Sequence, residues 1–258
     1  MAIKVYYIPG SHPCNAVFKA LDLKGLPFKK VVVIPPAHRL QMKLMFGDRT
    51  VPAMKYVDET GRTEKVQTSR AIMRTLDSIN PDPPLYPVDA DLRRRVLAAE
   101  SWADGDFQSL GRRLVWAHLA RSPQAMLSFS TGDKVPLPKF MQSVAAGPVS
   151  WIQAKLNRAG DQQVRDDLAS LPALLDRIDG YIADGVIGGE QPNAADLQIG
   201  ATMQLWMSMD DIRPLVENRP AGKLSLRLFP KPSGHVAGGV LPDEWLAPAR
   251  AGTPATAH

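Results

Sequence analysis

The sequence predicts two domains: an α/β domain of order β-α-β-α-β-β-α, a mixed four-stranded sheet with helices on both faces, then an all-α domain. Three observations predict it. Short apolar strands alternate with amphipathic helices over residues 1–82. Four prolines then fall within Asn80-Pro81-Asp82-Pro83-Pro84-Leu85-Tyr86-Pro87, which cannot continue a helix and makes a stiff connector. Beyond it the apolar stripes have helical spacing. The boundaries follow as 1–82 for the α/β domain, 83–90 for the linker, 91–248 for the helical domain and 249–258 for a disordered tail.

The first strand is Ile3 to Ile8, and Pro9-Gly10 turns the chain into a helix carrying Ala16, Val17, Ala20, Leu21 and Leu23. Ser11 is its expected N-cap, and Pro13 sits in the first turn, where its missing N–H breaks no helical bond. Val31 to Ile34 reads as a buried strand, and Ala37 to Phe46 as a short irregular helix. Val51 to Val57 is a strand opened by Pro52, a position a sheet tolerates. Asp58 to Arg62 turns, Lys65-Val66 returns, and Gln67-Thr68-Ser69 leads into a helix with Ala71, Ile72, Leu76 and Ile79 on one face.

In the second domain, Leu92, Val96, Ala99, Ala103, Phe107, Leu110 and Leu114 predict one long amphipathic helix. Trp102 and Trp116 leave that stripe and are expected to face the first domain. Ser122 to Pro138 reads as a loop, and Phe140 to Leu156 as a helix broken near Gly147-Pro148. Val164 to Ile182 form a second stripe with a kink at Pro172. Pro192-Asn193-Ala194-Ala195-Asp196 opens a helix apolar nearly all round, which belongs at the centre of a bundle. Asn193 caps it, and the Asp196 carboxylate reaches back to the Asn193 amide. Ala221 to Phe229 predicts one more helix.

Composition narrows the function. The chain has 258 residues, 45% hydrophobic and 22% charged, as in ordinary globular proteins. The net charge is +5, but the basic residues are scattered and only Leu92-Arg93-Arg94-Arg95 forms a run, which argues against nucleic acid as partner. One cysteine excludes a disulfide framework and a cysteine-rich zinc site, and no metal site is expected. The start of the chain lacks a signal-peptide layout, and no apolar run reaches the roughly 20 residues that span a bilayer. The expected setting is cytoplasmic, with no membrane partner.

Three landmarks together resemble the cytosolic glutathione transferases. The first is Ser11-His12-Pro13-Cys14-Asn15-Ala16-Val17-Phe18, similar to the theta-class pattern Ser-x-Pro-Cys-Arg-Ala-Val-Tyr and to a thioredoxin Cys-x-Pro-Cys turn with serine for its first cysteine. The second is Val51-Pro52-Ala53, like the family's Val-Pro-Ala/Ser segment with a cis proline. The third is Asn193-Ala194-Ala195-Asp196, similar to the capping box of the family's core helix. The resemblance covers nearly the whole chain. It implies a thioredoxin-like domain joined to a helical one, glutathione as co-substrate with no tightly bound cofactor, a role in detoxification, and a homodimer.

It also implies a site. Ser11 is the catalytic hydroxyl and Tyr7, at the end of the first strand, its rival; Cys14 is disfavoured, because buried thiols are inert. Val51 and Pro52 pair with the glutathione backbone. Thr68 and Ser69, with Gln67 before them, match the Glu/Gln-Ser pair that holds the γ-glutamyl end. Thr68 departs from that pattern, because a hydroxyl lacks the charge that pairs with an ammonium group. His38 matches a histidine for the glycine carboxylate. Trp102, Phe107, Trp116 and Phe140 are candidates for the wall around a hydrophobic electrophile.

The energetics suffice for such a site. Lowering a thiol pKa by two units from about 8.5 needs roughly 2.7 kcal/mol. A hydroxyl hydrogen bond to a thiolate supplies about 1.5–3 kcal/mol and a helix N-terminus about 0.3–1 kcal/mol. The expected function is activation of a small thiol for attack on a hydrophobic electrophile. The alternative is the same fold used as a ligand-binding or protein-interaction module with little or no turnover.

Overall fold

The computed structural model describes residues 2–35 and 37–252. Four strands form one sheet of order β2-β1-β3-β4: β1 (Ile3–Tyr7), β2 (Phe28–Val32), β3 (Ala53–Val57) and β4 (Thr63–Gln67). β1 pairs with β2 in parallel and with β3 in antiparallel fashion, and β3 and β4 form a hairpin. Ile3, Val5 and Tyr7 are buried while Lys4 is exposed, so the two-residue period sets the register. The second strand ends at Val32, short of the expected Ile34, and is not buried. It lies at the sheet edge with Lys29 and Lys30 exposed, and edge lysines discourage pairing with another chain.

Helices α1 (His12–Leu23), α2 (His38–Phe46) and α3 (Ser69–Ile79) complete the predicted β-α-β-α-β-β-α order. The helical part holds α4 (Ala90–Trp102), α5 (Gln108–Arg121), α6 (Lys139–Leu156), α7 (Asp161–Ala183), α8 (Ala194–Trp206), α9 (Arg213–Val216), α10 (Pro220–Leu228) and α11 (Asp243–Ala251). Among the described residues no helix is long and apolar enough to cross a membrane.

Every residue of α8 is buried, as its all-round apolar surface predicts. It packs against α1, α4, α5 and α10, so one apolar core runs from the sheet into the helical part. Asn15 of α1 donates to Gln204 Oε1 of α8 at 2.9 Å. This contact fixes the start of α1, and with it Ser11, against the helices. The capping box is complete: Asn193 accepts from the N–H groups of Ala195 and Asp196, and Asp196 accepts from Asn193 N–H at 2.9 Å. Asp196 also accepts from Gly188 N–H at 2.7 Å. Asp196→Ala should therefore lose about 2 kcal/mol, the upper end for a cap, read as a lower urea midpoint with ligand affinity kept. A large affinity loss at unchanged stability would make the residue part of a site.

Several expectations change. The predicted long helix is interrupted by a π-helical turn at Ala103–Phe107, which separates α4 from α5. Such a turn admits an extra residue and re-aims the side chains on it. The Ser122 to Pro138 loop contains a 3-10 segment, Pro123–Ser130, that Pro123 can open because a first-turn position needs no N–H. α6 continues through Pro148 without the predicted break. α2 is a regular helix closed by Gly47 in the left-handed region. α9 and α11 were not predicted. Pro242 with Asp243 and Glu244 is a helix start that the proline- and alanine-rich end obscured. Ala249–Ala251 thus close a helix instead of joining a disordered tail; 253–258 of that expected tail lie outside the described residues.

Candidate functional site

A cleft of about 620 Å³ opens where the first turn of α1, the loop before β3 and the start of α3 face α5, the 3-10 segment and α6. That volume suits a small organic ligand. Ser11, His38, Val51, Pro52, Thr68, Ser69 and Trp116 line it.

Ser11 occupies the N-cap position of α1, but its hydroxyl makes no capping hydrogen bond. The second helical residue is Pro13, which has no N–H, and Cys14 N–H bonds the Ser11 carbonyl at 3.0 Å. Oγ is therefore left for other partners, beside the helix N-terminus. The Ser11 side chain lies near the buried Cys14 thiol. Burial pushes that thiol up to about 12, against the lowering effect of Ser11 and the Ile8 backbone, so Cys14 stays a buried, protonated thiol at neutral pH. The turn before Ser11 needs glycine. Gly10 has φ +74°, and a Cβ there would lie 2.7 Å from Phe129 Cδ1, so the 3-10 segment packs directly on the turn.

Tyr7 does not line the cleft. Its ring packs edge-on against Phe18 with centroids 5.1 Å apart, and its hydroxyl donates to Asp133 Oδ1. Burial first, then the Asp133 carboxylate, pushes the phenol further above its ordinary value, and its one donor proton is engaged by Asp133.

The Val51-Pro52 peptide is cis. Val51 N–H and C=O form no hydrogen bond among the described residues, leaving an open peptide edge on the cleft wall. Thr68 closes the neighbouring turn at φ +78°, a conformation that costs a β-branched residue on the order of 1–3 kcal/mol. Three bonds hold it there: its N–H to Pro52 O at 3.1 Å, Ala71 N–H to its Oγ1 at 3.3 Å and Ile72 N–H to its carbonyl at 3.0 Å. Thr68 thus caps α3, whose first N–H groups, from Ser69 and Arg70, have no partner among the described residues. Such groups at a helix N-terminus favour a negative charge.

Gln67 lies off the cleft and braces the loop before Val51, donating to Asp48 O and Thr50 O and accepting from Asp48 N–H. His38 lines the cleft but is buried, and its Nδ1 has no partner among the described residues. Burial, and then Arg39, hold it down to about 4, so it is neutral at pH 7. Positive charge on this side comes instead from Arg39 and Arg49, which also line the cleft.

Of the predicted acceptor residues only Trp116 reaches the cleft. Trp102 and Phe107 stack at 5.0 Å in the helical core, where Arg177 of α7 covers the Trp102 ring and Trp206 the Phe107 ring. Trp102 therefore faces α7, not the first domain. Phe140 is 70% exposed on α6, away from the cleft. Val115, Leu119, Met126 and Phe129 take the place of these aromatics.

Asp104 and Arg112 were not anticipated. The π-helical turn carries Asp104 into the cleft, where its Oδ1 accepts from Ser69 Oγ at 3.3 Å; Gln198 donates to that Oγ at 2.8 Å. A carboxylate thus stands beside the Thr68-Ser69 corner that lacks one of its own. The Asp-Gly-Asp run inside a helical stripe was the available signal.

Residues 5–84 match the family model for the glutathione S-transferase N-terminal domain. A comparison with curated proteins gives no match. Among solved structures, FzlA from C. crescentus is similar over 90% of this chain and 90% of its own, with a TM-score of 0.60 at 17% identity. A maleylacetoacetate isomerase from Anaeromyxobacter dehalogenans, solved with bound dicarboxyethyl glutathione and citrate, is similar over 98% of this chain and 94% of its own, at TM-score 0.51 and 19% identity. A glutathione S-transferase from Rhodospirillum rubrum F11 aligns over 90% of this chain and 89% of its own, at TM-score 0.51 and 20% identity. The chain has the glutathione transferase fold. Within that fold, a thioredoxin-like sheet of four strands supplies one wall of the cleft and the helical part supplies the other.

Proposed function

We propose that the chain is a glutathione transferase that activates the thiol with Ser11 for attack on an electrophile. The carrying observation is the Ser11 hydroxyl, free of capping duty, on a cleft edged by an unpaired peptide and an unpaired helix N-terminus. Glutathione is an extended peptide with two carboxylates and one ammonium group. Val51 pairs with its backbone, and the Ser69 and Arg70 N–H groups take the γ-glutamyl carboxylate. Asp104 supplies the charge for the ammonium that Thr68 cannot. Arg39 and Arg49 neutralise the glycine carboxylate, with His38 as a neutral neighbour. The sulfur then meets Ser11 Oγ and the positive end of α1.

Reduced glutathione at a hundred times its dissociation constant should stabilise the protein by roughly 2.7 kcal/mol. Ser11→Ala should keep most of that binding and slow conjugation of a reactive aryl halide about thirtyfold, near 2 kcal/mol in the barrier. Tyr7→Phe should change the rate little. A larger loss for Tyr7→Phe than for Ser11→Ala would transfer the role to Tyr7. Glutathione binding without any rate above background would support the non-catalytic binding module instead.

A further inference from the structure

We infer that the second substrate is an electrophilic carboxylic acid with an aromatic or aliphatic body, its carboxylate held by Arg112. This rests on the glutathione transferase reading and names the substrate class of the same cleft. Arg112 lies on α5 and lines the cleft. Its guanidinium donates only to neutral acceptors, to Gln108 Oε1 and, at 3.1 Å, to Ser109 Oγ. Among the described residues no carboxylate lies within ion-pair distance of it. The other arginines of α5 are paired. Arg113 grips Asp167 with two bonds at 2.6 and 2.7 Å, and Arg121 reaches Asp161 at 2.6 Å.

A half-buried guanidinium with no carboxylate in direct contact is costly, and a ligand anion offsets that cost. Burial weakens the hold of Arg112 on its proton, the Asp104 charge strengthens it, and Arg113 weakens it. His12 beside it is fully buried and kept neutral, first by burial and then by Arg112, so it brings no competing charge. The guanidinium fork matches a carboxylate bidentately, which an isolated ammonium does not. On the same helix Val115, Trp116 and Leu119, and on the 3-10 segment Met126 and Phe129, give the cleft an apolar wall. Anion and apolar body are thus recognised within one half of the cleft. The carboxylates of glutathione have their own partners at the α3 N-terminus and at Arg39 and Arg49.

The test pairs a chlorodinitrobenzoate with its methyl ester, using the full chain. In both reactions the thiolate forms a C–S bond, chloride leaves with the C–Cl electron pair, and the thiol proton passes to solvent. After correction for the uncatalysed rates, the wild type should favour the acid by about tenfold or more in kcat/KM, one good charge-assisted contact. Arg112→Gln should bring the ratio near one, and Arg112→Lys should keep part of it. Equal ratios in the wild type, or equal losses for acid and ester in Arg112→Gln, overturn the proposal; the second result, with weakened glutathione binding, would place Arg112 on the thiol. Glutathione binding, read by thermal shift, tests the underlying reading separately. If neither acceptor turns over, calorimetry with dinitrobenzoate on the wild type and both variants decides: tighter binding by the wild type supports the carboxylate site, and equal affinities remove it.

Discussion

Asp211→Ala should destabilise the protein by about 3–4 kcal/mol and lower its melting temperature on the order of 10 °C. Asp211 follows α8 and gathers the segment that leads into α11. Its carboxylate accepts from Gly239 N–H at 2.6 Å and from Val240 and Leu241 N–H at 3.0 Å each. His118 Nε2, buried on α5, lies 3.5 Å from Oδ2. Alanine leaves three backbone donors and a buried imidazole facing an empty position, and unmet buried groups dominate such losses. Burial alone would raise the carboxyl, but the His118 ring and the Leu241 and Gly239 N–H groups outweigh it and hold Asp211 at about 2. A depressed folded value means the contribution is present above about pH 4, the ordinary aspartate range, and fades as pH falls through about 2. The wild type should therefore lose stability to acid in that window more steeply than Asp211→Asn. A loss under 1 kcal/mol for Asp211→Ala, measured by urea unfolding at neutral pH, would mean the segment is held by its apolar residues alone.

The fold was legible wherever local pattern and tertiary demand agree. β1 alternates, α8 is apolar all round, and Asn193 with Asp196 forms its cap from residues three apart. The failures arise where a residue type carries two meanings. Val31-Val32-Val33 reads as a buried strand, but the sheet order puts β2 at an edge. Proline reads as a breaker, although α6 accommodates Pro148 and α11 accommodates Pro248. The π-helical turn leaves the apolar stripe from Leu92 to Leu114 intact to the eye, because one extra residue hardly disturbs steps of three and four.

The candidate site divides the same way. Ser11, Val51, Pro52, Thr68 and Ser69 follow from contiguous motifs, and all of them reach the cleft. Residues contributed by the helical part depend on rotation about a helix axis, which a stripe constrains poorly. Trp102 and Phe107 therefore fall in the core while Trp116 reaches the cleft. Asp104 and Arg112 are hard to read because their meaning is relational: one stands beside the Ser69 hydroxyl only once the π-helical turn has formed, the other lacks a carboxylate its helix neighbours possess. Ser11 is expected to cap, but Pro13 has no N–H and Cys14 N–H bonds the Ser11 carbonyl instead of its hydroxyl.

Glu100→Ala should cost about 2–3 kcal/mol, the range for leaving a buried donor unpaired and losing charge-assisted hydrogen bonds. Glu100 on α4 is fully buried at the junction of the sheet-bearing and helical parts. Arg70 Nε approaches it at 3.3 Å and Arg74 Nη2 at 3.5 Å, both from α3, while Tyr86 of the connector donates to Oε1 at 2.8 Å. Removing the carboxylate strands a buried phenol, whereas Arg70 and Arg74, 27% and 51% exposed, can turn to water. Arg70 directly follows Ser69, and Asp104 lies one turn beyond Glu100, so the two edges that meet at the proposed γ-glutamyl position share this anchor. The variant should therefore also lose part of its stabilisation by glutathione. Burial pushes the Glu100 carboxyl above its ordinary range, against the lowering effects of Tyr86, Arg70 and Arg74. A raised folded value makes its contribution complete below the unfolded value and lost as pH rises through the folded one. Glu100→Gln keeps the shape, drops the charge and abolishes that slope, so its stability relative to wild type should improve as pH rises from about 4. Urea unfolding of both variants across pH 4–8 reads each expectation. A mild loss in Glu100→Ala, or an unchanged gap between Glu100→Gln and wild type across that range, would show that the two halves are joined by the α1–α8 core alone.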